Sequence, residues 1–209
     1  MKKNLIFLFI IFSSLQVSAK KMMLPLSIIA GSADLIVIGE IDVVRNNTYS
    51  FKISETIKGQ TYKTIVVKMF EEWTCDNRFE KAEKGQKLFL FLKKGQNNWD
   101  LINGSSGELF ISKNTIYLGG EDSIKIVNHK ITRNNMSLTA FTNTIRDFCK
   151  CFTFIGDGDY RSKTPQYFLQ IGSDKQISIL EKRSQFSTKL FEEIKRYRVK
   201  KLLNPLNFH

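Results

Sequence analysis

Apolar and polar positions alternate with a period of two through much of the first two thirds of the chain. Tyr49, Phe51, Ile53 and Ile57 are interleaved with Ser50, Lys52, Ser54 and Thr56. Successive side chains of a strand point to opposite faces, so this stretch predicts a half-buried antiparallel strand. Residues 34–44 (DLIVIGEIDVV) are apolar on both parities, which predicts a strand covered on both faces. Asn46-Asn47 marks a turn between the two, and Lys58-Gly59 ends the second. A third strand is predicted over 62–70, with Ile65, Val67 and Met69 on one face. A fourth covers 86–93 and is again apolar on both faces. After the turn Gly95-Gln96-Asn97 comes a strand over 99–103. Beyond Asn103-Gly104 and Gly107, strands over 108–112 and 115–118 close the β region, and 123–131 adds one more. Residues 71–84 (EEWTCDNRFEKAEK) fit neither period and form a long connection.

The period then changes. Ser137 can cap a helix on which Leu138, Phe141, Ile145 and Phe148 recur on one side. Asp157-Gly158-Asp159 and Pro165 mark a loop. A short helix is predicted over 174–183. Ser184 caps a longer one with the stripe Phe186, Leu190, Ile194 and Tyr197, stopped by Asn204-Pro205. The expected fold is therefore mainly β with α: a small Greek-key, OB-like β-barrel over 20–132, followed by a helical C-terminal region over 133–209 packed on the barrel. Five or six strands with a long third connection suit that barrel. The competing two-sheet sandwich wants about seven.

The first residues carry a different message. Lys2 and Lys3 precede an unbroken apolar run over 5–12, and Val17-Ser18-Ala19 supplies the small residues of a cleavage site. Positive start, apolar core and small-residue site, in that order, predict a signal peptide over 1–19. A retained anchor is the competing reading, but the run falls short of the ~20 residues that a spanning helix needs. The expected location is outside the cytoplasm, periplasmic or secreted after cleavage near Ala19, with no integral membrane span.

Charge and cysteines matter in that setting. The formal net charge is +12, of which Lys2 and Lys3 leave with the signal. A positive balance favours acidic partners. The basic residues are densest over 189–201, where Lys195, Arg196 and Arg198 belong to the predicted last helix. The three cysteines are Cys75, Cys149 and Cys151. An oxidising compartment permits one bridge, expected between Cys75 and either Cys149 or Cys151, with one thiol left over.

Several segments resemble the netrin-like module, the OB-fold of tissue inhibitors of metalloproteinases and their bacterial relatives. They are SADLIVIGEI (32–41), YSFKISETIKG (49–59), IVVKM (65–69), TC (74–75) and GQKLFLFL (85–92). In that module a first strand of the type aDlVv.G.v precedes a strand ending in KG, then a cysteine-bearing loop and a G..YLvF strand. The resemblance covers roughly residues 32–118 and implies an OB fold and a binding role. It does not imply metalloproteinase inhibition. In those inhibitors a mature N-terminal cysteine, within a Cys-x-Cys start, meets the target zinc, whereas this chain would begin Lys20-Lys21-Met22.

The residues offer little chemistry beyond this. His129 and His209 are the two histidines, too few for a His-rich zinc site and poorly suited to a triad. Asp157-Gly158-Asp159 begins like a calcium loop, but Arg161 and Phe168 stand where oxygen ligands are needed. Asn103-Gly104-Ser105-Ser106-Gly107 lacks the Lys-Ser/Thr ending of a phosphate loop and reads as a hairpin turn. No cofactor is implied. Trp73, Arg78 and Phe79, in the long connection, and Lys195, Arg196 and Arg198 are the candidate partner-binding residues. Three function classes follow. The first is a non-enzymatic exported binding module. The second is a binder of an anionic polymer or surface, using barrel aromatics and the basic helix. The third is a secreted enzyme relying on the leftover cysteine. Export argues against a genomic nucleic-acid role.

Overall fold

The computed structural model describes residues 22–72, 76–127, 130–159 and 161–202. The expected signal peptide, Trp73, Cys75, His129, His209 and the Asn204-Pro205 stop lie outside the described residues.

Strands β1 (Leu35–Arg45) and β2 (Thr48–Lys58) form an antiparallel hairpin across Asn46-Asn47, where Asn46 takes a φ of 41°. Asn tolerates this left-handed conformation better than most residues, which is why it serves as a turn signal. β3 (Thr64–Lys68) pairs antiparallel with β2, and β4 (Lys87–Lys94) pairs antiparallel with the other edge of β1. β5 (Trp99–Leu101) runs antiparallel to β4 and parallel to β3. The order β1-β2-β3-β5-β4 returns to β1, so five strands close a Greek-key barrel of the expected OB type. β6 (Glu108–Ser112) pairs with the first half of β4 and leads through β7 (Thr115–Tyr117) to β10 (Asn135–Ser137). The expected strand over 123–131 is instead a hairpin, β8 (Ile124–Val127) and β9 (Lys130–Arg133).

Two cores explain why β1 and β4 are apolar on both parities. Leu35, Val37, Ile41, Tyr49, Phe51, Leu88, Leu90 and Leu92 fill the barrel. Ile36, Phe89 and Phe91, on the opposite parity, face outward and are fully buried. They lie beneath a second layer that includes helix α1 (Leu26–Ser32) and helix α2 (Leu138–Cys151), whose Phe141 meets Phe89 edge-on at 5.0 Å. Each such buried side chain is worth about 1.5–3 kcal/mol over its exposed state.

The C-terminal region carries the expected helices and, in addition, strands. It interleaves α2, α3 (Asp174–Glu181) and α4 (Gln185–Ile194) with a three-stranded sheet of β11 (Phe152–Ile155), β12 (Tyr167–Gln170) and β13 (Arg198–Lys201). The last helix ends at Ile194. Tyr197 then packs edge-on against Phe154 and Phe168, both at 5.8 Å, and the chain turns to lie parallel to β12. The caps fall where the sequence puts them: Ser137 accepts from Ala140 N, and Ser184 forms a capping box with Ser187.

Helix α1 joins the two layers. Six of its seven residues are buried. The buried Glu193 carboxylate accepts from Ser27 N at 2.9 Å and so satisfies an orphan donor at the helix start. At its other end Lys58 Nζ donates to Ala30 O and Gly31 O, and Thr153 Oγ1 also donates to Gly31 O. A Cβ on Gly31 would lie 2.9 Å from Phe154 Cβ, so only glycine admits this approach. Among the described residues no helix is long and apolar enough to cross a membrane.

Candidate functional site

Where α2 leaves the barrel's outer face, the two layers diverge and leave a cleft of ≈ 580 Å³. Its strand wall is a row of residues directly opposite one another. Lys52 on β2 faces Glu40 on β1, Glu40 faces Lys87 on β4, and Lys87 faces Ile111 on β6. Opposite residues of paired strands share a face, so the row lies across the sheet's outer side. The register of β1 against β2 shifts between Ile38 and Gly39. A Cβ on Gly39 would lie 2.2 Å from Lys52 O, so glycine is what lets β2 pass this close.

The helix wall comes from one side of α2: Leu138, Thr139, Thr142, Asn143 and Arg146. Leu138 N donates to Asn114 O at 3.0 Å, which fixes the helix start to the β6–β7 turn and places Lys113, with a φ of 54°, at the rim. Arg146 is held twice. It pairs with Glu55 across the cleft and donates to Asn143 Oδ1 at 2.9 Å. Lys52, Lys87 and Lys113 are exposed, and their ammonium groups have no ion-pair or hydrogen-bond partner among the described residues. Ile38, Ile111 and Leu138 contribute an aliphatic floor, and among the described residues no aromatic residue lines the cleft. Thr142 is only 5% exposed, and its hydroxyl has no hydrogen-bond partner among the described residues.

The described residues among those singled out from the sequence are placed elsewhere, and Trp73 lies outside the described residues. Arg78 and Phe79 fold back on the barrel. The Arg78 guanidinium grips Glu108 through Nε at 2.6 Å and Nη2 at 3.2 Å, with both side chains about 95% buried. Tyr49, inside the barrel, donates its hydroxyl to Glu108 Oε2 at 2.8 Å. Burial and the Glu108 charge push the Tyr49 phenol well above its ordinary range. Burial alone would lower Arg78, but the Glu108 hydrogen bond and charge outweigh it and raise it. Phe79 stacks on Phe110 at 4.6 Å, with Arg133 at 4.0 Å over its ring. Asp76 anchors the same connection by accepting from Ser105 N and Oγ.

Lys195 caps the end of α4 rather than continuing it, and pairs with Glu192 at 2.7 Å. Arg196 lies in the turn and Arg198 on β13, both exposed. They therefore share a helix neither with Lys195 nor with each other. Of the barrel aromatics, Tyr49 and Phe51 are fully buried, whereas Trp99 on β5 is half-buried. The expected bridge involves Cys75, which lies outside the described residues. Cys149 and Cys151 are both free thiols. Cys149 sits against α1, 3.6 Å from Ala30 O, and burial pushes its thiol up to about 11. Among the described residues no group of three His, Cys, Asp or Glu side chains comes together to hold a metal ion.

The cleft residues were missed because they come from five elements far apart in sequence. One signal was available. Lys52, Glu40 and Lys87 are polar interruptions on the outward parity of otherwise covered strands, which marks where the cover ends. The chain matches no protein-family model, and no curated protein matches it.

Proposed function

We propose that this chain is an exported, non-enzymatic binding module of netrin-like OB type, with its recognition site in the cleft between the barrel and α2. The observation that carries this reading is the cleft itself. Three lysines without an ion-pair partner among the described residues stand around an aliphatic floor, on paired strands and the turn to which the helix start is hydrogen-bonded. Its volume falls within the roughly 300–1,000 Å³ usual for ligand pockets, and such pockets pair an apolar lining with a few convergent polar groups. The closed strand order supports the OB part of the reading. The order of sequence segments supports the netrin-like part.

The test uses the chain beginning at Lys20, immobilised and exposed to envelope and extracellular fractions. A binding module retains a saturable ligand at constant stoichiometry, and charge reversal in Lys52→Glu/Lys87→Glu abolishes retention. Retention that survives the reversal removes the cleft from the reading. N-terminal sequencing of the protein recovered outside the cytoplasm is expected to begin at Lys20, and an intact Met1 start there contradicts the cleaved signal.

A further inference from the structure

We infer that the cleft takes an acidic, aliphatic peptide segment, an inference that rests on the binding-module reading above. Lys52, Lys87 and Lys113 are exposed cations at the rim, free to meet carboxylates. The one acidic residue set between two of them, Glu40, lies opposite both Lys52 and Lys87 and cannot neutralise the two at once. Glu55 is already engaged by Arg146. Charge complementarity therefore selects a negatively charged occupant.

The lining separates the classes of polyanion. Single-stranded nucleic acid is held by bases stacked on aromatic rings. Among the described residues none of the lining side chains is aromatic. Ile38, Ile111 and Leu138 present instead an aliphatic floor, which suits Val, Ile or Leu side chains. A segment that alternates acidic and aliphatic residues directs one set toward this floor and the other toward the lysines, because successive side chains of an extended chain point to opposite sides. The unpartnered Thr142 hydroxyl and the Asn143 amide stand in the same wall, where an extended peptide backbone offers both donors and acceptors.

The test is selection from an array of random hexapeptides, with a sulfated polysaccharide and a single-stranded oligonucleotide as parallel probes. The expected result is enrichment of peptides combining Asp or Glu with Val, Ile or Leu. Their binding weakens as salt rises and falls about tenfold or more in Lys52→Gln/Lys87→Gln/Lys113→Gln. These lysines are exposed, so the variant keeps its fold, and an unchanged melting temperature checks this. Enrichment of neutral, basic or aromatic peptides overturns the inference. So does lysine-dependent binding of the polysaccharide or oligonucleotide in place of acidic peptides, although the binding-module reading survives that outcome. If no probe depends on the three lysines, both readings fall.

Discussion

At the scale of single residues, the most consequential group is Arg78, Glu108 and Tyr49, which links the long connection to the barrel interior. Removing one partner of a buried pair leaves the other charge uncompensated, at about 3–5 kcal/mol. Arg78→Met is therefore expected to lose that much stability in urea unfolding. Arg78→Met/Glu108→Leu is expected to recover a large part of it, because no charge remains buried. Tyr49 gives a pH signature. Its folded-state pKa lies well above the ordinary 10, so its contribution is complete below about pH 10 and declines as pH rises further. Alkaline unfolding of Tyr49→Phe should show a shallower slope above pH 10 than wild type, and an identical slope would contradict this. Cys149 makes a third case. A thiol raised to about 11 is almost wholly protonated at neutral pH, so native alkylation with iodoacetamide should leave Cys149 unmodified in mass mapping.

At the scale of elements, Gly39 is the sharpest test of the cleft's construction. Gly39→Ala forces Cβ against Lys52 O, and about 1–3 kcal/mol of destabilisation is expected, with the two lysines of the strand wall spread apart. Thermal melting measures the first effect. Weaker ligand retention than the melting temperature explains measures the second. The elements also show what a sequence exposes and what it conceals. The long strands were legible because alternation over about ten residues leaves a clear period, and the doubly apolar β1 and β4 correctly announced cover on both sides. Helix α1 was not legible. Seven residues, LSIIAGS, are enclosed almost all round, so no polar face marks a helical period. The strands of the C-terminal sheet are four residues each, too short to show a period beside capped helices. β13 exists because of Tyr197's ring contacts and its pairing with β12, neither of which is local in sequence. The cleft was concealed for the same reason. Its lysines look like ordinary solvated charges until pairing registers bring them together.

At the scale of the whole molecule, the second core makes barrel and C-terminal region interdependent. Ile36, Phe89 and Phe91 have no cover without the helical layer. A chain ending at Met136 is expected to expose them and to lose cooperative unfolding, whereas the full chain should show one calorimetric transition. Two well-separated transitions would falsify this interdependence. The capping of α1 by Glu193 carries a consequence for the order of events during folding. Ser27 and Glu193 are 166 positions apart, so this cap on the first helix of the described chain cannot form until residue 193 is in place. A chain threaded through a membrane N-terminus first would keep this opening segment unfinished until its far end had crossed.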